Sequence, residues 1–183
     1  MTETCRLRIC GLDRELPLVR IGDDFSFAKF VIMGDTELVE KAADMIVAHP
    51  DFPTYDIDLL LCPGTHVSPL AHAIATRLKI NYVVARESVK SYMQDQLVEK
   101  GLSVLSKEEQ LLVLDGADVE GLQGRNVCII DDVASTGESL QAVESLLARV
   151  GCNVVGKAVI LLEDDGYSGD DLIYLDRLPT FTK

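Results

Sequence analysis

Two adjacent carboxylates, Asp131 and Asp132, close the apolar run Val127-Cys128-Ile129-Ile130. The small-residue stretch Val133-Ala134-Ser135-Thr136-Gly137-Glu138-Ser139 follows at once. The largely β-branched run predicts a buried strand. Behind the turn, Leu140, Val143, Leu146, Leu147 and Val150 recur at helical spacing. Where a strand opens through such a turn into a helix, free backbone N–H groups and the positive end of the helix dipole point at one place and make an anion site. The Asp pair adds acceptors for hydroxyl groups and a potential metal contact. Residues of these types in this order suit a phosphorylated sugar. The plainer alternative is a buried strand with an N-capped polar exit, and the length of the ordered string argues against it.

The elements that must position these residues can be read along the chain. Residues 5–10 and 17–21 are short extended pieces, and 25–33 is a further strand candidate. Asp35 or Thr36 caps a helix over roughly 37–48, with Leu38, Ala42, Met45 and Ile46 on one face. Ile57 to Cys62 is a buried strand that ends at Pro63-Gly64-Thr65-His66, and a helix then runs to about Leu78. Asn81 to Ala85 is the next strand. Residues 87–115 are polar and mixed, with a late apolar run Leu111-Leu112-Val113-Leu114. After the acidic strand and its helix come Val154 to Leu162 and a short strand near Leu172 to Leu175. Strands alternating with helices at these intervals predict an α/β fold with a parallel, doubly wound sheet, whose ligands sit at the carboxyl ends of the strands.

Composition narrows the function. The chain has 183 residues, enough for one domain with its own core. Its five cysteines are scattered, without zinc-type spacing, and read as reduced core thiols of a cytoplasmic protein. Seventeen basic against thirty acidic residues give a net charge of −13, which argues against nucleic acid or an anionic membrane as partner. No apolar stretch nears the ~20 residues of a membrane span, and the polar start is unlike a signal peptide.

The string Ile129-Ile130-Asp131-Asp132-Val133-Ala134-Ser135-Thr136-Gly137-Glu138-Ser139 resembles the ribose-phosphate signature of the type I phosphoribosyltransferases. The likeness runs from Leu16-Pro17 to Leu178-Pro179-Thr180-Phe181 and is nearest to the adenine phosphoribosyltransferases and their bacterial relatives. It implies one domain over 1–183, with a core at about 35–162, a small base-selecting hood from about 1–34 and 163–183, and a long mobile loop at 92–114. It implies an enzyme, one that moves the 5-phosphoribosyl group from phosphoribosyl diphosphate to a purine base, adenine before others. Asp131 and Asp132 would hold the ribose hydroxyls and stabilise an oxocarbenium-like transition state. Ala134, Ser135, Thr136, Gly137, Glu138 and Ser139 would bind the 5-phosphate. Thr65, His66, Arg86 and Lys90 would bind the diphosphate. The resemblance also implies a homodimer. Because the chain is so acidic, a polyanionic substrate needs local compensation, and Mg²⁺, contacted indirectly by Asp131 and Asp132 through substrate or water, is the expected cofactor.

The chain departs from the family pattern at several positions. Ala134 stands where a larger aliphatic is usual, and Glu138 where many members have Gly. His66 falls where adenine-type members usually carry Arg or Lys, and Glu87 where they carry Lys. Gly64, His66 and Glu87 weaken the diphosphate side while the ribose-phosphate side stays whole. A second reading follows: a module that binds phosphoribosyl diphosphate or a nucleotide without turnover. Asp131-Asp132, Thr136 and Lys157 also match a phosphoacceptor receiver superficially, but receivers carry the acidic pair on the first strand. Phe25, Phe27 and Phe30 suit either purine stacking or plain core, and Glu163-Asp164-Asp165-Gly166 either a base pocket or a solvated acidic turn.

Overall fold

The computed structural model of the chain describes residues 3–21, 25–102, 109–164 and 166–182. In chain order the elements are β1 (Thr4–Ile9), β2 (Leu12–Ile21), β3 (Phe25–Ala28), α1 (Thr36–Val47), β4 (Leu59–Pro63), α2 (Ser68–Leu78), β5 (Asn81–Ala85), β6 (Leu97–Leu102), β7 (Glu109–Leu114), α3 (Gly116–Leu122), β8 (Asn126–Ala134), α4 (Glu138–Val150), β9 (Asn153–Glu163), β10 (Leu172–Leu178) and β11 (Thr180–Thr182). Five of these strands form a parallel sheet in the order β10-β9-β8-β4-β5, so the acidic strand lies at its centre.

Alternation along that strand divides the core. Cys128 and Ile130 pack on one face with Leu38, Ala42 and Ile46 of α1 and Leu70 and Ile74 of α2. Val127 and Ile129 pack on the other face with Leu122 of α3 and Leu140, Val143 and Leu147 of α4. A sheet covered on both faces is doubly wound, as the alternating elements predict. Each fully buried Leu or Ile contributes about 1.5–3 kcal/mol, which is the reserve from which two buried carboxylates can be tolerated.

α1 begins where its capping residue predicts. The Asp35 carboxylate accepts the Leu38 N–H at 3.1 Å, and the Arg14 guanidinium bonds both Asp35 and Glu37. His72 packs edge-on against Tyr82, with ring centroids 5.9 Å apart, as a helix-packing residue. Three thiols, Cys10, Cys62 and Cys128, are buried; burial pushes each of them up to about 12, with Asp176 adding to the effect at Cys10 and Asp131 at Cys62. Among the described residues no helix is long and apolar enough to cross a membrane.

Four segments differ from expectation. The piece expected over 17–21 begins at Leu12, and the short helix α3 stands where none was expected. The strand expected over 25–33 ends at Ala28. Lys29 N–H still bonds the Pro17 carbonyl, but Ile32, fully buried, turns its N–H to the Asp132 carboxylate at 3.3 Å instead of to a neighbouring strand. The polar stretch expected as a loop over 92–114 contains an antiparallel hairpin of β6 and β7, paired from Leu97↔Leu114 to Leu102↔Glu109. Residues 103–108, between these strands, lie outside the described residues. The apolar run at 111–114 outweighs the polar composition around it, since Leu112, Val113 and Leu114 are all buried. The terminal segments meet in a second, antiparallel sheet in the order β1-β2-β3-β11.

Candidate functional site

The carboxyl end of β8 carries Asp131 and Asp132, each 5 % exposed. Being adjacent on a strand, they leave it on opposite sides. Asp131 continues the Ile129 side and meets α4, where Ser139 Oγ lies 3.4 Å from its Oδ2. Asp132 continues the Ile130 side, accepts the Ile32 N–H, and faces the turn after β4, where His66 Nε2 is 3.7 Å from its Oδ1. The Asp132 N–H donates to Asp131 Oδ1 at 2.9 Å. Burial, and then the charge of Asp132, raise the Asp131 carboxyl well above the usual carboxylate range. Burial also raises Asp132, against the opposing charge of His66.

His66 sits in a single 3₁₀ turn, Thr65–Val67, between β4 and α2. Gly64 opens that turn with φ +76°, a conformation side chains rarely adopt. A Cβ on Gly64 would lie 2.8 Å from the His66 ring and 3.0 Å from Glu87 Oε1, so only glycine lets ring and carboxylate close in here. Glu87 Oε1 faces His66 Nδ1 at 4.0 Å. Pro63, Gly64, His66, Glu87, Leu112, Asp131, Asp132, Val133 and Ser139 line one pocket of about 160 Å³.

Of the residues expected at the site, the structure therefore gathers Asp131, Asp132, His66 and Ser139. Thr65 is exposed and its carbonyl accepts the Ser68 hydroxyl. Arg86 and Lys90 do not line the pocket. The Arg86 guanidinium lies 6.0 Å from the centre of the Tyr92 ring, and Lys90 Nζ donates to Ser88 Oγ at 2.7 Å. Arg86 exchanges two backbone hydrogen bonds with Val113, which fixes its side of the strand and sends the next side chain, Glu87, the other way.

The turn from Ala134 to Ser139 lies beside the pocket. Ala134 is buried, Thr136 is exposed, and Glu138 opens α4. Gly137 has φ +86° and is covered by Tyr167: a Cβ there would lie 2.3 Å from the Tyr167 ring. The Tyr167 N–H bonds the Ser135 carbonyl at 2.7 Å, and Ser135 Oγ donates to Glu163 Oε2 at 2.5 Å. Tyr167 is anchored by Lys157, whose buried amine also bonds Glu144 and Asp171. Burial lowers the Lys157 pKa, but hydrogen bonds to Asp171, Glu144 and Tyr167 raise it further than burial lowers it, and the group stays charged. Lys157 thus holds a loop in place and does not serve a phosphoacceptor. Glu163, the last residue of β9, faces the turn, while Asp164 is exposed and Asp165 lies outside the described residues. Phe30 packs against the core, and the side chain of Phe25 also lies outside the described residues.

Glu87, expected on the diphosphate side, is aimed inward by the Arg86–Val113 pairing. Three contributors were not expected from sequence. Leu112 enters with the hairpin. Ile32 contributes through its backbone alone. Tyr167 reaches Gly137 across thirty positions, although the glycine itself marks a close approach.

A family model described as "Phosphoribosyl transferase domain" matches residues 36–177. Adenine phosphoribosyltransferase of Symbiobacterium thermophilum is 29% identical over 168 residues, covering 86% of this chain and 95% of that protein. That of Mycobacterium tuberculosis is 36% identical over 104 residues, 55% of this chain and 45% of that protein. Against such curated relatives the chain spans only about half of their length. Among solved structures, adenine phosphoribosyltransferase of Thermoanaerobacter pseudethanolicus has the same fold, with a TM-score of 0.69 at 20% identity over 88% of this chain and 95% of that one.

Proposed function

The chain belongs to the phosphoribosyl transferase domain family, and from that premise we propose that it moves the 5-phosphoribosyl group of phosphoribosyl diphosphate to a purine base, adenine before others. One observation supports this most: two buried carboxylates at the end of a central parallel strand, directly ahead of an amide-rich turn into a thirteen-residue helix. The N–H groups of the turn from Ser135 to Ser139, backed by the α4 dipole, receive the 5-phosphate. Asp131 and Asp132 accept hydrogen bonds from the ribose hydroxyls. As the bond from C1 to diphosphate lengthens, positive charge develops on the ribose, and a carboxylate held in a dry site stabilises it more than water does. The base nitrogen then forms the new bond at C1, and diphosphate departs. No strong general base is needed.

Mg²⁺ bound with the donor would neutralise the diphosphate, with Asp131 and Asp132 contacting it through substrate or water. We further take the terminal segments, about 1–34 and 163–183, as the hood that selects the base over a core at about 35–162, in a cytoplasmic homodimer. A second reading, a sensor that binds without turnover, is favoured by one feature: Arg86 and Lys90, the expected diphosphate cations, lie away from the pocket. Diphosphate release with adenine, guanine, hypoxanthine or xanthine separates the two. A base-dependent signal lost in Asp132→Asn establishes transfer. Silence with every base, alongside tight donor binding, establishes the sensor.

A further inference from the structure

The pocket at the end of β8 presents an electrostatic contradiction. Its lining includes three carboxylates, Glu87, Asp131 and Asp132, and no Lys or Arg. A diphosphate brought here meets like charge on several sides, in a chain whose net charge is already −13. Something cationic must stand between them.

We propose that the protein itself holds a divalent transition-metal ion in this pocket, before any substrate arrives, through His66 Nε2 and the carboxylates of Asp131 and Asp132. One ligand atom from each of these residues lies within 4.8 Å of the others. Ligands on opposite sides of an ion bonded at about 2.0–2.2 Å are about 4 Å apart, so a small inward movement closes the set. The His66 side chain is 38 % exposed and sits on a turn, which leaves its ring free to make that movement. Glu87 supplies an independent indication, because a metal-ligating imidazole almost always has a carboxylate or carbonyl on its other nitrogen. Glu87 Oε1 faces Nδ1 while Asp132 Oδ1 faces Nε2, a carboxylate–histidine–metal arrangement. Gly64 leaves the space for it.

The imidazole decides which ion is taken. Mg²⁺ favours oxygen ligands and keeps its water, whereas one nitrogen with two carboxylates suits Mn²⁺, Co²⁺ or Zn²⁺. Three protein ligands leave open positions, where diphosphate oxygens bind in place of water. In this chain the ion would supply the charge that Arg and Lys supply in the family pattern. That purpose rests on the proposed transfer or donor-binding function; the binding of the ion does not.

The test titrates the full chain, without donor or base, with Co²⁺, followed by its visible d–d absorption. The expected result is a band that saturates at one equivalent, disappears in His66→Ala, and resists Mg²⁺ at equal concentration. Glu87→Gln, which keeps shape and removes charge, weakens Co²⁺ about tenfold. His49→Ala, which removes the only other imidazole that faces a carboxylate among the described residues, leaves the band unchanged. Absence of the band, its persistence in His66→Ala, or displacement by equimolar Mg²⁺ overturns the proposal. A second titration with inorganic diphosphate, with and without Mn²⁺, separates the two readings. Co²⁺ binding without diphosphate binding upholds the ion site and counts against the function proposed above. Diphosphate binding that needs no transition metal overturns the ion's role in holding the diphosphate and leaves that function standing.

Discussion

Asp131 and Asp132 occupy positions where ionisation is costly. Both carboxyls are raised, Asp131 far above the usual carboxylate range, because burial removes water from the charged form. The sign of the consequence is definite. A carboxyl whose folded pKa exceeds its unfolded one lets the protein keep full stability below the unfolded value, and stability falls as pH rises through the folded value. On the proposed function Asp131→Asn should abolish turnover, and relief of the buried charge should raise the thermal midpoint at neutral pH by about 2–4 °C for each kcal/mol relieved. Thermal scans should show that gain shrinking toward zero as pH drops below the usual carboxylate range; an equal gain at both ends would mean that charge burial is not its source. The acidic pair could be read from sequence because a β-branched run and a small-residue turn bracket it. The place of Glu87 beside the diphosphate was legible from the resemblance, but the contact that aims it inward was not. That contact pairs Arg86 with Val113, twenty-seven positions away.

Among the elements, α1 was legible from its Asp35 cap and apolar period, and α4 from an apolar period that runs to a stop at Gly151. The β6–β7 hairpin was not, since its strands are stabilised by partners elsewhere. Arg149 of α4 bonds the Val98 carbonyl and the Glu99 carboxylate, and Ser145 also bonds Glu99. Local composition says loop there, and tertiary contacts override it. β3 shows the converse, a strand cut short because Ile32 spends its N–H on Asp132. The start of α1 offers a direct measurement. Asp35 caps the helix and also receives Arg14, whose hydrogen bond holds its carboxyl below the usual range. Asp35→Ala should cost about 1–2 kcal/mol, read as a lower denaturant midpoint at unchanged slope. Asp35→Asn, which keeps the cap and loses the charge, should recover most of that loss.

Over the whole molecule, an excess of thirteen negative charges sets the field that any phosphorylated ligand must cross. Repulsion acting over a Debye length of about 10 Å at 0.1 M salt slows encounter, and added salt relieves it. Stopped-flow association of phosphoribosyl diphosphate should accelerate as ionic strength rises. Slowing instead would mean that a local positive site governs the approach. The doubly wound parallel sheet was legible at this scale because its alternation of strands and helices spans the chain. The antiparallel sheet joining β1–β3 to β11 was not, because no local pattern links segments so far apart. The three buried thiols turn these two sheets into separately timed reporters. Cys10 sits in the β1–β2 turn with its N–H on Asp176, while Cys62 and Cys128 lie in adjacent strands at the centre of the parallel sheet. None is a thiolate at neutral pH, so a disulfide reagent reaches each only when its surroundings open. Mass-resolved labelling should therefore mark Cys10 before Cys62 and Cys128, and the lag between them measures how far one sheet can come apart while the other stays shut.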